Sequence, residues 1–304
     1  MQNADDIFEL ARPRLTGLAY RLLGTMAEAE DAVQDTFLRW LSEDRQAIRN
    51  PQAWLTRVCT NRCLDMMKSA TRQRTDYIGP WLPEPLHTAV PAAAEQEMVL
   101  ADSLSTAFLM LLERLKPGER AAFLLHEVFG QPHGDVAETL GVTAASSRQL
   151  VSRARKRLGT EAPPSVVAVD QHHAFLDMFQ RAIREDAVEL LDELLSRDVE
   201  LHADGGGKVL AARRVLAGPD RVLRFLKAVV VGGWQDLVVQ PSDINGSPGL
   251  IAFSGDRIAA VLTLRLGTDH RTDRIYIMRN PDKLRRLGQA SPWRVTGTGI
   301  SPSA

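Results

Sequence analysis

The sequence predicts a multidomain chain: two all-α blocks, the second ending in a helix-turn-helix, followed by an α+β domain. Three observations carry this. Apolar residues recur at helical spacing as far as Leu158. Proline-rich text interrupts the pattern at residues 78–91 and again at 161–165. Beyond Leu237 the apolar period changes to two. The expected boundaries are a first block at 1–76, a linker at 77–94, a second block at 95–160, a short linker at 161–168 and the α+β domain at 169–304. A length of 304 residues suits two or three domains.

The bulk numbers narrow the class. A content of 44% hydrophobic and 25% charged residues is an ordinary globular mix, and the net charge of -1 means that any nucleic-acid footprint must be local. Two cysteines, Cys59 and Cys63, rule out a disulfide framework. Four residues apart on one helix face, with no histidine cluster beside them, they are expected in the core and not on a metal. The N-terminus lacks a basic-then-apolar leader and no apolar run reaches membrane length, so a cytoplasmic protein without membrane contact is expected. No cofactor is expected.

In the first block, Phe8, Leu15, Leu18, Leu22 and Leu23 fall on one helical stripe. A second helix, residues 27–41, sets Val33, Phe37, Leu38 and Trp40 among Glu30, Asp31, Gln34 and Asp35. Asn50-Pro51 opens a third, where proline suits the first turn. Its apolar face carries Trp54, Leu55, Val58 and Cys59, and its polar residues include Arg57, Asn61, Arg62, Asp65, Lys68, Arg72 and Arg74.

The linker reads IGPWLPEPLHTAVP. Repeated proline forbids a helix and favours extended backbone. Trp81 and Leu82 are costly in water, so Trp81-Leu82-Pro83-Glu84-Pro85 is expected to dock on something; a plain spacer is the alternative. In the second block, Leu104 to Leu115 form an amphipathic run ended by Lys116-Pro117-Gly118, and residues 119–128 form the next helix.

Residues 135–158 then read as a helix-turn-helix. Gly141 makes the turn, Val142 is expected as a buried plug, and Thr143 caps the second helix. That helix holds Arg148, Arg153, Arg155, Lys156 and Arg157 and no acid, which suits a polyanion. A solvated basic helix at the end of a bundle is the competing reading. The N-terminal half of such a helix enters the major groove. There Ser146, Ser147, Arg148 and Gln149 can read base edges, while Arg153 and Arg155 grip phosphate.

The last domain opens with an amphipathic helix at 175–195, a short strand at 199–202 and a helix at 219–230. Strands are expected at 237–239, 250–253, 258–266 and 275–279, separated by the turn signals Asn245-Gly246, Gly255-Asp256 and Thr268-Asp269. Helices followed by an antiparallel meander suggest one curved sheet folded over helices.

The two helical blocks resemble the extracytoplasmic-function sigma factors of bacterial RNA polymerase. The resemblance rests on LAYRLLGTMAEAEDAVQDTFLRW, on NPQAWLTRVCTNRCLDMMKS and on residues 135–158, in that order, and covers about residues 5–160. It implies that Glu30, Asp31, Gln34, Asp35, Phe37 and Trp40 bind core polymerase. It implies that Arg57, Asn61, Arg62, Asp65 and Lys68 melt and read the minus-ten element, and that Ser146, Ser147, Arg148, Gln149, Arg153 and Arg155 read the minus-thirty-five element. The physical logic agrees. Acids steer onto a basic partner and aromatics supply buried anchors, although on pattern alone Phe37 and Trp40 suit an internal core with solvated acids equally well; unstacked bases need amide hydrogen bonds and cations.

The third block looks like a SnoaL-like cone, which one group of these sigma factors carries. The carriers of that resemblance are WLPEP, Asp204-Gly205-Gly206-Gly207-Lys208 and Asn280-Pro281-Asp282-Lys283-Leu284. The group implies control of sigma activity in cis, through contact of this domain with the linker and the sigma blocks. DGGGK is a poor phosphate loop: no glycine lies five positions before Gly207, and Val209 follows the lysine. A plain hairpin turn there, and a plain helix start at Asn280, are the bland alternatives. A reading from another class is an enzyme or sensor of an unknown small ligand, with His202, Asp204, Asp236, His270 and Tyr276 lining a pocket. A pocket holding a desolvated acid beside a histidine would favour the enzyme; an apolar or collapsed pocket would favour pure regulation.

Overall fold

The computed structural model describes residues 4–44, 47–75, 77–87, 104–159, 169–185, 187–267, 269–290, 293–296 and 299–302. The expected short linker at 161–168 and the second half of the Pro-rich linker lie outside the described residues. The chain divides into two compact units, Met1–Asp76 with Leu109–Ala162, and Tyr77–Phe108 with Pro163–Ala304.

In the first unit α1 (Ala4–Leu23), α2 (Met26–Ser42) and α3 (Pro51–Thr75) pack on one another. Thr25 starts α2 as its N-cap: its hydroxyl accepts Glu28 N at 3.3 Å and donates to the Glu28 carboxylate at 2.6 Å. Asn50 caps α3 through Ala53 N at 3.1 Å, with Pro51 in the first turn. Phe8, Leu15, Leu22, Val33, Trp40 and Leu55 are buried, as are both free cysteines.

Among the described residues, shorter helices follow: α4 (Thr106–Leu112), α5 (Pro117–Phe123), α6 (His133–Leu140) and α7 (Ala144–Leu158). Lys116-Pro117-Gly118, read as a helix end, opens α5 instead. Proline fits that first turn, and the Glu119 carboxylate accepts Lys116 N. A π-helical segment, Leu124–Val128, prolongs α5. Gly141 ends α6 in the left-handed region (φ 65°), and Thr143 caps α7 through Ser146 N at 3.1 Å. Val142, expected as a plug, is 38% exposed; the turn itself carries the angle between the helices.

The α5–α7 group also packs on the first three helices, chiefly through α3 against α6. Arg120, 3% exposed, crosses this contact: its Nη1 donates to Leu22 O at 2.9 Å and to Glu113 at 2.7 Å. Burial pushes Arg21 down to about 10, while its guanidinium lies over the Phe129 ring.

The second unit is an α+β cone. Helix α8 (Val169–Glu185) leads through a 3-10 segment, Val188–Leu194, straight into β1 (Leu195–Asp204). The single helix expected over 175–195 therefore ends ten residues early. A short β2 (Leu216–Ala217) and α9 (Pro219–Phe225) precede β3 (Val238–Ile244), β4 (Ser247–Ser254), β5 (Arg257–Leu266) and β6 (Thr272–Met278). The sheet order is β2-β1-β6-β5-β4-β3. Strands β3 to β6 form the expected antiparallel meander, but β1 joins it parallel to β6, so the sheet is mixed. Asn245-Gly246 makes the β3–β4 turn with both φ values positive, 53° and 71°.

Alternate residues of β1, namely Val199, Leu201 and Ala203, point into a core with Phe175, Phe179 and Trp234. Those side chains form the apolar core of the cone. The sequence ends with α10 (Pro281–Ala290) and a hairpin of β7 (Trp293–Thr296) and β8 (Gly299–Pro302). No described helix is long and apolar enough to cross a membrane.

Candidate nucleic-acid interface and linker clamp

Helix α7 presents the basic face of the first unit. Arg148, Gln149 and Arg153 are exposed along it, and Ser146 is half-buried. Ser147 is fully buried and faces inward, where His133 Nδ1 lies 3.1 Å from its hydroxyl. It therefore cannot touch a base; its place on the inward stripe with Val151 and Ala154 explains why. Arg155 donates to Glu127 at 2.7 Å, and Arg157 pairs with Glu119 at 3.0 Å, so both cations are partly committed within the protein.

On α3, Asn61, Asp65 and Lys68 are exposed, and Arg57 and Arg62 are half-buried. Arg62 bonds to Asp35 of α2 at 2.6 Å, tying a candidate DNA residue to a candidate polymerase residue, and Asp65 pairs with Lys68 at 2.8 Å. On α2, Glu30, Asp31 and Gln34 are exposed and Phe37 is half-buried against Phe8. Trp40 is 1% exposed and packs on Trp54. It is a core residue, not a surface anchor. Leu38 and Leu41, exposed on the same helix, occupy the outer face instead.

In the second unit the linker is held along Tyr77–His87. Asp204, at the end of β1 and fully buried, is the centre of the arrangement. Its Oδ1 accepts Tyr77 OH at 2.6 Å and Gly206 N at 2.9 Å. Its Oδ2 accepts Leu82 N at 2.9 Å and Lys283 Nζ at 2.8 Å. Lys283 also donates to Leu82 O at 2.5 Å, and its ammonium lies 4.3 Å from the Trp81 ring centroid and 5.2 Å from that of Tyr77. The three glycines that follow let the loop turn back at once. A side chain on Gly206, at φ 61°, would collide with Asn280.

Asn280 explains the second motif. Its Oδ1 accepts Asp282 N at 3.0 Å, capping α10, and its Nδ2 donates to Tyr77 OH at 2.8 Å. NPDKL is therefore a helix start and a linker contact at once. Asp282 reaches back to Lys208 at 2.5 Å. Burial, then the adjoining Asp204 carboxylate, pushes the Tyr77 hydroxyl well above its ordinary pKa, so it stays a donor to that carboxylate.

Downstream the linker is held again. Leu82, Pro83, Glu84 and Pro85 are buried. Leu86 N donates to Asn245 Oδ1 at 2.5 Å, Asn245 N donates to Leu86 O at 2.8 Å, and His87 bridges to Ile244. Nothing in the sequence around Tyr77 or Asn245 marks either as a linker contact. Asn245 stood only as a turn signal, although its side chain and backbone both bind the linker.

The candidates for an enzyme pocket do not converge. His202 lies beside Glu200, at 3.3 Å, and Tyr276, whereas Asp204 belongs to the clamp and Asp236 and His270 are exposed.

The helices of the first unit match two family descriptions, Sigma-70 region 2 over residues 7–73 and Sigma-70, region 4 over residues 105–158. The extracytoplasmic-function (ECF) RNA polymerase sigma factor SigJ of Mycobacterium tuberculosis is 37% identical over 91% of this chain and 91% of its own length. The chain belongs to the ECF sigma factor family. Its function class is therefore transcription initiation with RNA polymerase. The probable ECF sigma factor SigI of the same organism is 33% identical over 90% of this sigma factor and 92% of the relative. The crystal structure of SigJ aligns with a TM-score of 0.71 at 32% identity, covering 93% of this chain and 98% of the other. The second unit of this sigma factor is thus the SnoaL-like cone that the resemblance implied.

Gly206→Ala tests the tight loop of the clamp. A left-handed alanine costs about 1–2 kcal/mol before the clash with Asn280 is counted. The expected result is a lower urea midpoint for the second unit and faster proteolysis within residues 77–87, read by limited digestion; Gly118→Ala, in open space, should change neither.

Proposed function

We propose that this sigma factor directs promoter-specific initiation by core RNA polymerase, and that its SnoaL-like domain controls this in cis by gripping the linker between the two DNA-reading regions. The observation that carries the reading is the clamp itself: Asp204, Asn280, Lys283 and Asn245 hold Tyr77–Leu86, the first stretch of chain that leads from region 2 to region 4.

The demand on that stretch is large. The minus-ten and minus-thirty-five elements lie about 25 base pairs apart by name, roughly 85 Å at about 3.4 Å per pair. In the first unit α3 touches α6, so the two readers are packed together and cannot span both elements. A domain that shortens the free linker favours the packed state. Polymerase or a signal opens it only by binding the extended state better.

In this reading Glu30, Asp31, Gln34, Asp35 and Phe37, with Leu38 and Leu41, meet polymerase. Arg57, Asn61, Arg62, Asp65 and Lys68 act at the minus-ten element, and Arg148, Gln149 and Arg153 act at the minus-thirty-five element, with Ser146 and Arg155 beside them. The scatter of His202, Asp236 and His270, with Asp204 committed to the linker, favours regulation over catalysis.

Run-off transcription tests the proposal, using core polymerase, a promoter selected by the protein and the full chain beside Trp81→Ala. Loss of the indole removes the aromatic face over Lys283 while leaving the backbone bonds of Leu82, so transcription should change with circular dichroism unaltered. Equal transcription removes the role of the clamp. Absence of both transcription and polymerase binding in the unaltered chain removes the proposal as a whole.

A further inference from the structure

Two histidines stack beside the recognition helix. His126 lies in the π segment Leu124–Val128 and His133 opens α6. Their ring centroids are 4.0 Å apart with planes inclined by 22°. His126 Nδ1 is 2.8 Å from Gln131 O, an acceptor, so that nitrogen carries a proton and donates it. His133 Nδ1 faces the buried hydroxyl of Ser147 on α7. One residue beyond His126, Glu127 holds Arg155 of the same helix and lies 3.8 Å from His126 Nε2. The recognition helix is therefore tied at Ser147 and at Arg155, eight residues or about 12 Å apart along its axis. Both ties run through the neighbourhood of the imidazole stack.

We propose that the His126–His133 stack is the positioning element of the recognition helix and makes minus-thirty-five binding sensitive to protons. The pair keeps its geometry with one charge at most; a second proton parts the rings and releases Ser147. This rests on reading α7 as the minus-thirty-five reader.

The charges around the pair fix the sign. Among the described residues, those that act on His133 are His126, Arg148 and Arg155, which oppose a proton, and Glu127, which favours one. Burial opposes it most, and His133 titrates below the ordinary histidine value. A group with a depressed folded pKa supports the native arrangement fully above its unfolded value, about 6.5, and the support is lost as pH falls through the folded value. Acid therefore weakens the placement of the helix. That sign is diagnostic, because added positive charge alone would tighten binding to DNA.

Two measurements on the full chain test this. In the first, the chain assembled with core polymerase is titrated with a minus-thirty-five duplex selected from random sequence, between pH 7.5 and 5.5. The affinity is expected to fall by about fivefold or more, the lower end of coupling between sites. In His133→Asn, whose amide can still meet Ser147 but does not titrate, the pH slope should flatten whatever its affinity at pH 7.5. An equal slope in the two proteins overturns the proposal.

In the second, imidazole resonances of 15N-histidine are followed with pH. His133 should titrate at higher pH in His126→Asn, which removes both the cover and the opposing charge. An unmoved midpoint overturns the coupling. If duplex binding is absent at every pH while the resonances remain coupled, the minus-thirty-five reading has failed, and with it the promoter half of the proposal.

Discussion

Asp204→Asn is expected to cost the second unit about 3–5 kcal/mol and to free the linker. Each carboxylate oxygen of Asp204 accepts two donors: Tyr77 OH and Gly206 N on one side, Leu82 N and Lys283 Nζ on the other. An amide has one acceptor atom. Whichever way it turns, an N–H₂ group meets two donors, and the buried Lys283 ammonium loses its counter-charge. The measurement is the urea midpoint of unfolding followed by Trp fluorescence, together with the rate of cleavage within residues 77–87. The double variant Asp204→Asn/Lys283→Met should recover much of the loss, because the penalty comes from leaving one charge buried alone. If the single variant unfolds at the wild-type midpoint, the ion pair is not what holds the linker. If stability falls but the linker stays protected, Leu86–Asn245 is the main grip.

Arg120→Leu is expected to separate the two DNA-reading regions. The Arg120 guanidinium is buried where α5 meets α1, and its bonds to Leu22 O and Glu113 are charge-assisted, a class worth about 1.5–3 kcal/mol each. Leucine keeps the apolar stem and removes both. Fluorescence transfer between labels at Glu9 and Gln149, both exposed, should drop in the free protein. Open-complex formation should rise if the packed state restrains initiation. Unchanged transfer with a lower melting temperature would make Arg120 a local staple of the second helical block and no brake.

The two results bear on one mechanism from opposite ends. In the proposed mechanism Asp204 would govern how much linker is free, and Arg120 how firmly the readers stay together. The clamp variant should leave the Arg120 bonds intact, and the Arg120 variant should leave the linker clamp intact, since the two residues lie in separate compact units.

Much of this architecture is legible along the chain because its signals are local. Thr25, Asn50, Thr143 and Gly141 mark helix ends by side-chain hydrogen bonds or a positive φ that involve only near neighbours. Asn245-Gly246 marks a hairpin for the same reason, and the basic face of α7 is a property of fifteen consecutive residues. WLPEP is legible as a docking segment from composition alone, since proline and tryptophan together suit neither a helix nor bare solvent.

The errors share a cause too. Trp40 and Ser147 sit on helices whose two faces both carry suitable residues, and only packing decides which face turns inward: Trp54 claims Trp40, and His133 claims Ser147. The parallel pairing of β1 with β6 joins residues more than seventy positions apart, so period and turn chemistry are silent about it.

The order of the blocks, the helix ends, the meander and the basic recognition helix can be read from the amino acids alone, because each depends on periodicity and capping within a few residues. The closure of Asp204, Asn245, Asn280 and Lys283 on Tyr77–Leu86, and the stacking of His126 on His133, become visible only in the folded chain. Those arrangements need buried charges and amides to find partners far along the chain, and the satisfaction of a buried polar group is fixed by the folded surroundings and not by its neighbours in sequence.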